Sequence, residues 1–178
     1  MPRLIEEARE NILAAAKRQL LEGGWQGMTI RSVADECGMA AGTVYNYFKS
    51  KETLVANVML ADWLRSLEKM RKACARATSL KGGLFAVYRE IRAFSDYYSP
   101  LWTSERAMGL SQGIWWRGHK RLMRQIAEIL HPLFLHFGCS TDAYLETFVA
   151  GSLISASVEE QPFDLYAALI KRILDTKA

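Results

Sequence analysis

The stretch from Met28 to Lys51, MTIRSVADECGMAAGTVYNYFKSK, decides the fold of this chain. Thr29 is placed to cap a helix, because its hydroxyl accepts a bond from an otherwise orphaned amide of the first turn. Ile30, Val33, Ala34 and Cys37 then recur at helical spacing, which gives a short helix one buried face. Gly38 follows, the residue that most easily adopts the left-handed conformation needed to end that helix and turn. A second short helix, roughly Ala41 to Phe48, turns Val44 and Phe48 inward. Thr43, Tyr45, Asn46 and Tyr47 are left facing outward or sideways. Two short helices meeting steeply across a glycine turn form a helix-turn-helix, the unit that carries a recognition helix into a DNA major groove.

On either side the chain reads as helix. Ile5, Ala8, Ile12, Ala15, Ala16 and Leu20 make an apolar stripe that Gly23-Gly24 stops, with Trp25 plugging the seam to the helix-turn-helix. Ser50 caps a long helix running to about Ala77. Lys81-Gly82-Gly83 breaks the chain before an amphipathic run from Leu84 to Tyr98, and Ser99-Pro100 ends it. A short helix from Thr103 to Gly109 and a long one from Gln112 to Phe137 are expected next, with a kink or break near His131 because of Pro132. Thr141 or Asp142 caps a helix to Glu160, and the last runs from about Pro162 to Thr176. No segment alternates like a strand. The fold class is all-α: an N-terminal three-helix helix-turn-helix domain, residues 1–49, then a helical domain, residues 50–178, about nine helices in total.

Half of the 178 residues are hydrophobic, enough for a buried core, and no run of about 18 apolar residues exists to cross a membrane. The N-terminus, MPRLIEEARENIL, interleaves acids and bases and lacks the apolar centre of a secretory signal, so a cytoplasmic location is expected. The net charge of +4 suits a polyanionic partner only mildly. Residues 1–51 hold seven Lys/Arg against six Asp/Glu, so charge alone would not have pointed to DNA. Cys37, Cys74 and Cys139 are odd in number and far apart, which argues against a disulfide framework or a structural zinc and for thiols packed as small hydrophobes. His119 and His131 read as surface or packing residues, and no metal or cofactor is expected.

Thr29, Ile30, Val33 and Ala34, then Gly38, Gly42-Thr43-Val44-Tyr45, Tyr47-Phe48 and Lys51-Glu52 with Leu54 resemble, in order, the N-terminal module of the TetR/AcrR family of one-component transcriptional regulators. The resemblance is sharp over about the first 60 residues and beyond them rests on length and helical pattern alone. It implies that the second short helix enters the major groove. Tyr45, Tyr47 and Lys51 would then bond phosphates, with Thr29 or Arg31 touching the backbone from the first short helix. Ala41 suits a thymine methyl, Thr43 a bond or a packing contact, Asn46 adenine and Arg31 guanine. Ala40, Ala41 and Gly42 stand where many relatives carry larger polar side chains, so part of the specificity is expected from DNA shape. Tyr47 stands where a histidine is common in the family.

A two-fold operator needs a two-fold protein. Gly151, Ser152, Ser155 and Ala156, flanked by Phe148, form a small-residue strip. With Tyr166 and Ile170 on the last helix they are the candidate homodimer interface. The aromatic-rich middle suggests an apolar cavity lined by Phe94, Tyr98, Trp102, Trp115 and Met123. Arg89, Arg92, Arg106, Arg117, Lys120, Arg121 and Arg124 outnumber Glu90, Asp96 and Glu105 there, which favours an apolar or anionic small-molecule effector. The sequence thus reads as a ligand-responsive dimeric repressor released from a palindromic operator. The alternatives are a helix-turn-helix regulator controlled by a protein partner and, with no nucleophile-base set or phosphate-binding loop in its favour, a small all-α enzyme.

Overall fold

Every regular element among the described residues of the computed structural model is a helix. It describes residues 2–102, 105–139 and 142–175, with side chains for 6–101, 120–139 and 142–174. The helices are α1 (Pro2–Gly27), α2 (Ile30–Glu36), α3 (Ala41–Tyr47), α4 (Lys51–Ala75), α5 (Leu80–Trp102), α6 (Glu105–His136), α7 (Ala143–Val158) and α8 (Phe163–Asp175). They form two units, Met1–Trp63 with Pro100–Leu110, and Leu64–Ser99 with Ser111–Ala178.

The first unit is built on a glycine-punctuated chain reversal. α1 breaks at Gly24, whose φ of 63° and ψ of −167° lie where only glycine rests without strain, and one further turn reaches Gly27. Trp25 is thereby driven into the core with Met28. α2 packs against both α1 and α3. Ile12, Ala16, Val33, Ala34, Val44, Phe48 and Leu54 meet in a core where none is more than 1% exposed. Each large side chain buried this way contributes about 1.5–3 kcal/mol. The first half of α4 shares in this core through Leu54, Val55 and Val58.

In the second unit α5 and α6 lie close because Gly83 has no side chain: a Cβ there would sit 2.5 Å from Leu133 Cδ1. The expected break at Gly82-Gly83 is instead the first turn of α5, where Ser79 Oγ accepts a bond from the Gly82 amide at 3.1 Å. α5 also continues past the expected stop at Ser99-Pro100. Proline removes the amide that would have met the Asp96 carbonyl, and Ser99 Oγ donates to that carbonyl instead, at 3.0 Å. α6 is one helix through residues 110–111, where a gap between two helices was expected, and through Pro132, where a kink or break was, so the described residues form eight helices. Asp142 caps α7 by accepting from the Leu145 amide at 2.8 Å, whereas Thr141 lies outside the described residues.

One stripe of α5 meets the α7–α8 corner residue by residue. Lys81 pairs with Asp164 at 2.8 Å, Phe85 and Tyr88 pack on the Phe163 ring, Tyr88 Oη donates to the Gln161 carbonyl at 2.7 Å, and Arg92 reaches Glu160 at 3.1 Å. These contacts hold a corner whose Glu160 carries a positive φ of 56°. Tyr166 Oη closes the α7–α8 pairing by donating to the Val149 carbonyl at 3.1 Å.

Candidate nucleic-acid interface

Seven-residue helices have little stability of their own, so α2 and α3 depend on local devices. α2 has a reciprocal cap. Thr29 Oγ1 accepts from the Ser32 amide at 3.0 Å, and Ser32 Oγ accepts from the Thr29 amide at 3.0 Å. Ser32 Oγ also donates to Gln19 Oε1 at 2.6 Å, Gln19 Nε2 donates to Glu36 at 2.6 Å, and Arg18 pairs with Glu36. This network fastens α2 to α1 from both ends. Gly38 then turns the chain with a φ of 64°.

α3 has no side-chain cap at Ala40 and is held instead by its buried side. Val44 is fully buried and Phe48 is 1% exposed, with the Arg9 guanidinium 5.6 Å from the Phe48 ring centroid. The other side of α3 is open: Gly42, Tyr45 and Asn46 are exposed, and Ala41, Thr43 and Tyr47 are half-buried. A Cβ built on Gly42 would meet nothing within 4 Å. Arg31 is exposed on α2. The Thr29 hydroxyl is engaged in the cap. Lys51 is half-buried: its ammonium donates to the Trp25 carbonyl and lies 4.6 Å from the Trp25 ring centroid.

Of the residues proposed to line a cavity, Phe94, Tyr98 and Met123 have described side chains. Phe94 and Tyr98 meet at a tilt of 53° with ring centroids 4.9 Å apart, and Tyr98 is 1% exposed. Met123 points at α7, with its Sδ 2.9 Å from where a Gly151 Cβ would be. The side chains of Trp102, Trp115 and His119 lie outside the described residues. Of the strip on α7 and α8, Phe148 and Ser155 are exposed, Gly151 and Ser152 are half-buried, and Ala156, Tyr166 and Ile170 are buried within the chain. The exposed apolar residues on these helices are Tyr144, Phe148, Val158, Leu165 and Leu169.

Burial pushes the Cys74 thiol up to about 11, and raises Cys37 against an opposing pull from Arg18. Both therefore stay protonated near neutral pH. His131 Nδ1 lies 2.6 Å from Glu146 Oε1, so this histidine is a packing partner of α7. Among the described residues no three His, Cys, Asp or Glu side chains gather as metal ligands, and no helix is long and apolar enough to cross a membrane.

Sequence reading missed the Gln19–Ser32–Glu36 network. Its one legible trace is the T-x-x-S spacing of Thr29 and Ser32, with serine where a capping box usually has Glu or Gln.

Residues 12–58 match the family described as bacterial regulatory proteins, tetR family. The chain is 31% identical over 67 residues to the HTH-type transcriptional regulator UidR of Escherichia coli K12, covering 38% of this chain and 34% of UidR. It is 35% identical over 98 residues to the HTH-type transcriptional repressor KstR of Mycobacterium tuberculosis, covering 54% of this chain and 44% of KstR. The matched stretch is thus less than half the length of either relative. A solved TetR-family transcriptional regulator from Streptomyces coelicolor superposes with a TM-score of 0.66 at 18% identity, over 94% of this chain and 99% of that one, which establishes the shared fold. Each of these three proteins is named a transcriptional regulator or repressor. With its capped α2, glycine turn and inward-anchored α3, the head of this chain carries a helix-turn-helix segment, residues 12–58, similar to that of the tetR family of bacterial regulatory proteins.

Proposed function

We propose that this chain is a dimeric, ligand-responsive repressor that binds a palindromic DNA operator through α3. The observation that carries this reading is the division of α3 into two sides. Val44 and the following Phe48 are sunk in the core, while Tyr45 and Asn46 project from a helix fixed by its neighbours. A short helix with a pinned back and a polar, aromatic front suits a groove. Asn46 offers a bidentate pair to adenine, and the Tyr45 and Tyr47 hydroxyls offer bonds to phosphate. Arg31 supplies a phosphate or guanine contact from α2. Ala41, Gly42 and Thr43 give a low profile at the start of α3 that favours a thymine methyl and close approach.

The head, residues 1–49 resting on the first part of α4, takes the DNA, and the remainder takes the effector and the second copy. Tyr144 at 83% exposure, Leu165 at 71%, Leu169 at 52% and Phe148 at 49% are the apolar face offered to that copy, with Ser155 beside them. Tyr166, Ile170 and Ala156 support the face from behind. Phe94, Tyr98 and Met123, with Trp102 and Trp115, remain the proposed contacts for a small apolar or anionic effector. Effector binding to one arrangement of the body would weaken operator binding by the difference in its affinity for the two arrangements, typically about 1–3 kcal/mol. A cytoplasmic location follows from this role.

Selection of bound fragments from source DNA by the purified chain tests the reading. A palindrome with half-sites about one helical turn apart is the expected product. Recovery of sequence-independent, salt-sensitive binding alone would contradict it.

A further inference from the structure

α2 buries Ile30, Val33 and Ala34, a single apolar stripe on a seven-residue helix. Such a stripe resists lifting, but leaves roll and slide about the helix axis to be set by other contacts. At about 100° per residue, Ser32 and Glu36 fall on one flank of the stripe and Arg31 and Asp35 on the other. Arg31 is exposed and forms no ion pair with the described acids, so its direction follows the roll of α2.

One side chain of α1 controls that roll. Gln19 sits beside Leu20, which is 2% exposed, and one turn from the fully buried Ala16, so its stem starts from a fixed point. Its carbonyl accepts from Ser32 Oγ at 2.6 Å and its amide donates to Glu36 Oε2 at 2.6 Å. The two anchors lie one turn apart on α2, so a single planar group fixes both roll and slide. The bonds also run one way. Thr29 Oγ1 donates to Ser32 Oγ at 2.9 Å, Ser32 to Gln19, and Gln19 to a carboxylate that Arg18 also holds. Hydrogen bonds in such a chain polarise and strengthen one another. The position needs an amide, because an ionised glutamate only accepts and a methionine cannot donate.

We propose that Gln19 is a positioning residue for DNA recognition: its amide sets the roll of α2 and thereby aims Arg31. The proposal rests on the DNA-binding reading above and deepens it.

A double-mutant cycle on the duplex selected by the wild-type chain tests this, at a temperature where circular dichroism shows every variant folded. Arg31→Ala is expected to lower the affinity of the wild-type chain about tenfold. Gln19→Met keeps the stem, loses both bonds, and is expected to bind about tenfold more weakly. In the Gln19→Met background Arg31→Ala should cost less than about twofold, because its contact is already lost. A merely structural Gln19 would lower the melting temperature and leave the cost of Arg31→Ala unchanged. Gln19→Glu sets a second carboxylate against Glu36 and should bind as weakly as Gln19→Met. Adding Glu36→Gln returns a donor opposite that carboxylate and should restore wild-type affinity.

Equal costs of Arg31→Ala in the two backgrounds would overturn the proposal. So would wild-type affinity in Gln19→Met or in Arg31→Ala, or a folded Gln19→Glu, Glu36→Gln chain that still binds weakly. If the wild-type chain binds no duplex at all, the DNA-binding reading itself is wrong and the proposal falls with it.

Discussion

The head and the body of this protein are both helical, yet they are held together differently. In the head, α2 persists through discrete devices, a reciprocal Thr29–Ser32 cap, positive-φ glycines at 24 and 38 and the Gln19–Glu36–Arg18 network, and α3 through the buried Val44 and Phe48 behind the Gly38 turn. In the body, long helices persist through apolar area and shape, with Gly83 against Leu133 and Gly151 against Met123 setting close approaches. A short helix needs its ends satisfied, and the residues that do so are few and recognisable. A long helix needs only a stripe, and a stripe does not name its partner.

The largest effect that would break this contrast is in the head. Phe48→Ala should cost about 3–5 kcal/mol, since it removes a ring that both anchors α3 and carries Arg9. Circular dichroism with limited proteolysis should show cleavage near α3 while the body helices remain. Equal loss throughout the chain would mean that the two units fold as one.

Two glycines probe the two modes directly. Gly24→Ala should cost about 1–3 kcal/mol through backbone strain at its positive φ, with open space around the new methyl. Gly83→Ala should cost about 1–3 kcal/mol through overpacking against Leu133, with no unusual backbone angle. Thermal melts give both values. Duplex binding at a temperature where both variants are folded should fall for Gly24→Ala and hold for Gly83→Ala.

A smaller effect sharpens the account of the body. Burial pushes the Tyr166 hydroxyl from 10.0 up to about 12, with the Ser152 hydroxyl opposing. Because the unfolded chain releases this proton first, the contribution is intact below pH 10 and is lost as pH rises toward 12. Tyr166→Phe should therefore melt lower near neutrality, by about 1 kcal/mol for the lost hydrogen bond. It should also lose less stability than wild type between pH 10 and 12.

The smallest effect has the opposite sign. Gly42→Ala should stabilise α3 by about 0.5–1 kcal/mol, because the added methyl meets nothing. If DNA approaches the bare entry of α3 closely, the same methyl weakens operator binding. A gain in melting temperature with undiminished affinity would show that the small residues there are not a contact surface.

Much of the head was legible because its devices are chemical. Thr29 as cap, Gly38 as turn, and Val44 and Phe48 as core can each be named from residue type and spacing. The second half of the cap was not, since Ser32 is an unusual partner, nor was the capture of Lys51 by Trp25, which needs the fold of α1 back toward α4. In the body, helices were legible but their ends were not. Pro100 read as a stop and Pro132 as a kink or break, yet Ser99 takes up the carbonyl freed at Asp96, and a proline costs a helix only what its neighbours fail to recover. The α5 stripe was visible as amphipathic, but no pattern could have matched its Lys81, Tyr88 and Arg92 to a corner 68 or more residues away.

The central claim is that the open face of α3 reads DNA. Its most direct test is titration of the duplex selected by the wild-type chain with Tyr45→Ala and Asn46→Ala, both exposed positions where the fold should survive, as circular dichroism would verify. The account predicts an affinity loss of about tenfold or more for Asn46→Ala, confined to the selected sequence, and a loss on all sequences for Tyr45→Ala. Unchanged binding of the selected duplex by both folded variants would contradict it.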